Sequence, residues 1–172
     1  MAGNLEFIKS ASGTSVSTLD VTDCFSADYD VYFVSISKGD FSAQTYNLLR
    51  FLDSGGTVIS ASEYDYATLD MYANASFAQL NGTSQTSIPN FGLSNSGTAD
   101  FGGISFYIYN PYDSSSYTFV AGQSSSQHSG GGRGSKFIGV HKSAEQLSGI
   151  QMGRVSGTID NLTVNVYGLA SN

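Results

Sequence analysis

The chain has 172 residues and a net charge of −7, with 12% charged and 40% hydrophobic residues. Its seven Lys plus Arg are scattered singly, which excludes nucleic acid and anionic membrane as partners, because phosphate neutralisation dominates that binding. A lone cysteine, Cys24, excludes an intramolecular disulfide framework and reads as a small buried apolar residue beside Phe25.

This length predicts one domain that buries roughly 70% of its unfolded surface. Charged residues are about half as frequent as in an average domain. Ser, Thr, Gly and Asn coat the surface instead, and short side chains lose little rotamer entropy when immobilised. Such a surface packs against a neighbour at little cost and with little salt dependence. Met1 to Lys9 carries no targeting pattern and no apolar run approaches ~18 residues, so neither a signal peptide nor a transmembrane helix is expected.

Phe7 and Ile8, then Val16 to Val21, read as short opening strands. Val31 to Ser37 is the strongest strand, rich in β-branched and aromatic residues, and Lys38-Gly39-Asp40 is expected to break it. Thr45 to Leu52 alternates Leu48, Arg50 and Leu52 with Asn47, Leu49 and Phe51. Asp53-Ser54-Gly55-Gly56 follows as a turn, and Thr57 to Ser60 is expected to return as the second arm of a hairpin. Tyr64 to Tyr72 fits either a strand or a helical turn. Asn81 to Gly97, with Asn-Gly and Ile-Pro, reads as a loop holding short extended pieces. Ile104 to Tyr109 is a strand stopped by Asn110-Pro111, and Tyr117 to Ala121 is another. Gly122 to Gly134 is Ser/Gly-rich and predicts a mobile loop, within which His128 and Arg133 are candidate contact residues. Lys136 to Lys142 and Leu147 to Met152 resume strands. Leu162, Val164 and Val166 alternate with Thr163, Asn165 and Tyr167 in a closing half-buried strand, which must be tied into a sheet to avoid fraying.

This pattern predicts an all-β fold, a jelly-roll-like antiparallel β-sandwich of about 8–10 strands. An N-terminal arm with the first short strands is expected over residues 1–27 and the sandwich proper over 28–172. Asp28-Tyr29-Asp30-Val31-Tyr32, Leu48 to Gly56, Phe106 to Pro111, Ile150-Gln151-Met152, Ser156 to Ile159 and Val164 to Leu169 occur in the order found in a group of small phage structural proteins. The chain resembles that family, from phages of marine and cyanobacterial hosts, over about residues 28 to 169. The resemblance implies a phage particle, with members described as head decoration (cement) proteins, tail-fibre modules or unassigned virion proteins. The segment from Ser124 to Gly134 falls outside the resemblance.

Motifs for chemistry point elsewhere than an enzyme. G-x-S-x-G is missing from the sequence, and His128 in a loop and His141 near a strand end read as surface residues rather than a base held against a nucleophile. Ser135-Lys136 reverses the order that a phosphate loop requires. Asp28 and Asp30, or Glu63, Asp65 and Asp70, offer oxygen ligands for Ca²⁺ but read as solvated acids. One Cys and two distant His argue against Zn²⁺. No catalytic residue, cofactor site or metal site is therefore assigned. Tyr107, Tyr109, Tyr112 and Tyr117 are candidates for an aromatic contact surface. The expected function is a virion structural protein, a capsid decoration protein on the particle surface, bound to other virion proteins and to its own copies as a dimer or trimer. The alternative is a tail fibre or host-recognition module that binds a surface glycan. A hydrolase acting on envelope sugars has no specific support.

Overall fold

In a computed structural model, which describes residues 5–74, 77–94, 101–128 and 131–170, the chain forms two antiparallel sheets packed face to face, with no helix among the described residues. The strands are β1 (Leu5–Gly13), β2 (Thr18–Val21), β3 (Val31–Phe41), β4 (Thr45–Asp53), β5 (Tyr64–Tyr72), β6 (Ala78–Gln85), β7 (Ile88–Ser94), β8 (Phe101–Tyr109), β9 (Thr118–His128), β10 (Gly131–His141), β11 (Leu147–Arg154) and β12 (Ile159–Leu169). The large sheet has eight strands in the order β1-β12-β3-β8-β9-β10-β5-β6, and the small sheet has four in the order β2-β11-β4-β7. The all-β sandwich expected from the alternating patterns is therefore present.

Period-two alternation builds the core. Leu162, Val164 and Val166 of β12 are buried while Thr163, Asn165 and Tyr167 are half-exposed. Tyr32, Val34 and Ile36 of β3 and Ile104, Phe106 and Ile108 of β8 line the same inner face. They meet Leu49 and Phe51 of β4, Ile150 and Met152 of β11 and Val21 of β2, from the small sheet. The closing strand does not fray because it sits between β1 and β3, bonded on both sides. Leu5–Gly13 pairs with β12 and Thr18–Val21 with β11, so the described part of the expected arm over 1–27 contributes a strand to each sheet.

Several segments differ from expectation for identifiable reasons. β3 runs through Lys38-Gly39-Asp40 to Phe41, and the pairs Asn165–Ser35 and Thr163–Lys38 show one extra residue on β3, a bulge that absorbs the irregular stretch. The turn at Asp53 forms, with Gly56 at φ 80° and the Asp53 carboxylate accepting from Gly55 N and Thr57 N, both at 2.8 Å. Its return arm shrinks to a single bridge between Leu52 and Val58. Tyr64 to Tyr72 is a strand, and the loop expected over Asn81 to Gly97 contains most of β6 and all of β7, with 95–97 outside the described residues.

The largest correction concerns Gly122 to Gly134. Gly122 to His128 and Gly131 to Gly134 form the paired end of two long strands, β9 and β10, in unbroken register from His141–Thr118 to Gly131–His128, with 129–130 outside the described residues. Gly122 here serves close packing. A Cβ at Gly122 would fall against Phe106, 2.5 Å from Ser105 O and 2.7 Å from Phe137 Cζ.

Candidate interaction face

The inner face of the large sheet is covered by the small sheet, whose other face carries polar pairs beside the buried Leu48 and Leu52. There Gln151 donates to Asp20 at 2.9 Å and Arg50 donates to Thr86 O at 3.0 Å. The outer face of the large sheet is different. Following the strand register, Phe7 lies opposite Tyr167, Tyr167 opposite Phe33, Phe33 opposite Tyr107, Tyr107 opposite Ala121, Ala121 opposite Ile138 and Ile138 opposite Ala67. The row one pleat over reads Leu5, Leu169, Val31, Tyr109, Phe119, Val140 and Asp65. In the third row, on the other side, stand Ser10, Asn165, Ser35, Ser105, Gln123, Lys136 and Leu69. Two apolar rows thus run beside a predominantly polar one, and Asp65 is the sole charge in the two.

Rings in the band touch in sequence. Phe7 meets Tyr167 at 5.6 Å, Tyr167 meets Phe33 at 6.2 Å, Phe33 meets Tyr107 at 5.2 Å and Tyr107 meets Tyr109 at 6.3 Å. These separations lie in the range where edge and offset ring pairs attract, so each ring is held by its neighbours. Phe7 is 57%, Phe119 45% and Ile138 61% exposed, which is unusual for side chains this large. At ~4.8 Å between strands the band is about 29 Å long, and two rows give on the order of 400 Å². That is within the range of the largest apolar patches on monomers, which are often functional. Toward β5 and β6 the face is concave, a depression of about 460 Å³ lined by Tyr109, Phe119, Ile138, Val140, Asp65 and Asn81 among others.

Tyr107 and Tyr109 of the expected aromatic surface stand in adjacent rows of this band. Tyr117 is exposed on the β8–β9 connection, whereas Tyr112, on the same connection, packs against the core and leaves the surface set. Phe7, Phe33, Phe119, Ile138 and Tyr167 complete the band. Their alternation along each strand was visible in sequence, but the register that aligns them across strands was not.

Arg133 is not a contact residue. It is buried, ion-paired with Asp70, donates to Tyr46 Oη at 2.9 Å, and lies 4.7 Å from the ring centre of Tyr72. Burial opposes its charge, but Tyr46 and Asp70 outweigh this and hold the guanidinium above its ordinary value. Asp70 also accepts from Ser135 Oγ, so it is a buried acid rather than a solvated one. His128 closes β9, and its side chain lies outside the described residues.

His141 overturns its reading as a surface residue, being fully buried at the end of β10. Its ring lies 5.0 Å from that of Tyr64 and 5.9 Å from that of Phe51. Its Nε2 faces Glu63 Oε2 at 3.2 Å and Glu145 Oε1 at 3.6 Å. The sequence hides this cluster because its members come from the start of β5, the end of β10 and the link into β11. Asp65, next to it, pairs with Lys142 at 2.7 Å.

No protein-family model matches the chain, and no curated protein sequence matches it.

Proposed function

We propose that the chain is a non-enzymatic structural protein of a phage particle, a head decoration protein that seats the outer face of its large sheet on the particle surface. The observation that carries this reading is the apolar two-row band, in which Asp65 is the sole charge. A standard interface buries about 800 Å² per partner, with an apolar centre and a polar rim. The band supplies such a centre, and the neighbouring Ser, Asn and Gln row supplies the rim. Aromatic side chains with few rotatable bonds lose little entropy on docking. The ordered segments shared with small virion proteins supply the phage context. Own copies, as a dimer or trimer, would complete the arrangement.

Stoichiometry of purified particles tests the reading, with hundreds of copies expected. Wild-type protein added to capsids lacking it should rebind, and a Tyr107→Asp/Ile138→Asp double variant should not. A protein that stays monomeric and ignores such capsids ends the proposal. The concave depression beside Tyr109 and Phe119 favours one second reading, a tail module that stacks a glycan ring on those side chains. A few dozen copies or fewer per particle, with glycan binding lost in Phe119→Ala, would favour it.

A further inference from the structure

We infer that Glu63, His141 and Glu145 form a binding site for a divalent transition ion of the zinc type, which clips one end of the sandwich. This goes beyond the docking role and does not depend on it. Zn²⁺ holds imidazole nitrogen and carboxylate oxygen at about 2.0–2.2 Å, so two ligand atoms of a tetrahedral site stand about 3.3–3.6 Å apart. His141 Nε2 lies 3.2 Å from Glu63 Oε2 and 3.6 Å from Glu145 Oε1, and all three ligand atoms fall within 4.8 Å of one another. The two nitrogen–oxygen spacings are therefore close to edges of a coordination tetrahedron, and the two carboxylate oxygens, within 4.8 Å of each other, sit on side chains exposed enough to close the third edge around an ion.

Chemistry favours an ion at this point. An imidazole nitrogen carries at most one proton, and here it faces two carboxylates. With the ring proton on Nδ1, the Nε2 lone pair points at both acids and only a cation satisfies the three together. His141 Nδ1 is buried without a hydrogen-bond partner among the described residues, so no donor at Nδ1 forces the ring proton onto Nε2. Nearby cations are engaged elsewhere: Lys142 Nζ with Asp65 at 2.7 Å and Arg50 with Thr86 O at 3.0 Å. Two carboxylates and a neutral imidazole balance one divalent charge. The nitrogen ligand selects against Ca²⁺ and Mg²⁺, which take oxygen.

Two ligands are preorganised by the sheet. His141 pairs with Tyr64, and Lys142 N donates to Glu63 O at 2.8 Å, so Glu63, the residue before β5, is held diagonally across from His141 at the end of β10. Glu145 lies on the short link from β10 to β11, which carries the chain from the large sheet to the small one. Both glutamates are about one-third exposed, 39% and 34% for their side chains, which leaves a path for the ion. An ion bound here would fix that link to both sheet strands.

The test uses the full chain stripped with EDTA and titrated with ZnCl₂, CaCl₂ or MgCl₂, read by calorimetry and by thermal unfolding. The expected result is one equivalent of Zn²⁺ bound with a rise in Tm, and no comparable rise with Ca²⁺ or Mg²⁺. Glu63→Gln and Glu145→Gln, partly exposed and so compatible with folding, should each weaken Zn²⁺ binding by at least about tenfold, the loss that even supporting groups cause. His128→Gln should leave it unchanged. Co²⁺ in place of Zn²⁺ should give visible absorption bands of a tetrahedral site. Absence of saturable Zn²⁺ binding, an equal effect of Ca²⁺, undiminished binding in both glutamine variants, or loss in His128→Gln would each overturn the assignment.

Discussion

Asp70 and Arg133 form a buried ion pair that ties β5 to β10. Both are buried, and the pair is completed by Ser135, Tyr46 and Tyr72. Removing one member of a buried pair leaves an uncompensated charge, so Asp70→Ala is expected to cost about 3–5 kcal/mol in urea unfolding. Asp70→Leu combined with Arg133→Met should recover much of that loss, because the charges disappear together. Cys24 is buried, and burial pushes its thiol up to about 12. The native protein should therefore resist iodoacetamide at pH 8, with modification appearing only on unfolding; rapid labelling of folded protein would contradict this. Asp65 responds to acid in the opposite sense. Lys142 and the Ser84 N–H hold its carboxyl below the ordinary value of 3.8. A depressed carboxyl stabilises the fold above 3.8 and loses that contribution as pH falls through its folded value. The Tm difference between wild type and Asp65→Asn should accordingly be present near neutrality and close below pH 3.8.

At the scale of elements, the β9–β10 pair separates composition from structure. Its Ser/Gly content suggests mobility, yet each residue from Thr118 to His128 has a partner on β10. Amides in the paired region should be protected in hydrogen exchange at a level close to β8, not to a loop. Gly122→Ala should destabilise by about 1–3 kcal/mol, because the new methyl meets Phe106 and Phe137 in a filled layer. The same strand pair shows where sequence reading stops. Alternation of Leu162, Val164 and Val166 made β12 legible, because each buried position repeats every second residue. Ser124, Ser125 and Ser126 offer no such contrast, so periodicity is silent there. Arg133 was misplaced for the same reason: its partner Asp70 is 63 residues away in sequence, and nothing local points to it.

For the whole molecule, the fold class was legible and the exposed apolar band only partly so. Tyr107 and Tyr109 stand out from one strand, but the band they belong to exists only once seven strands are in register. The Glu63–His141–Glu145 cluster was out of reach for the same reason, being assembled by pairing of distant segments. Because the band lies outside the core, charges placed on it should spare the fold. Tyr107→Asp/Ile138→Asp is expected to keep the wild-type Tm within a few degrees while abolishing particle binding. A large drop in Tm would instead assign those side chains a structural role.

The place of β12 between β1 and β3 has a kinetic consequence. In the large sheet β1 touches only β12, the last of the described strands to be synthesised. Of the described strands, β1 is made before all the others yet must wait for β12 before its backbone groups find their partners in the sheet. Such distant pairing is slow. Nascent chains stalled before Ile159 should remain open to protease at β1, and resistance should arrive in one step once Leu169 has emerged from the exit tunnel.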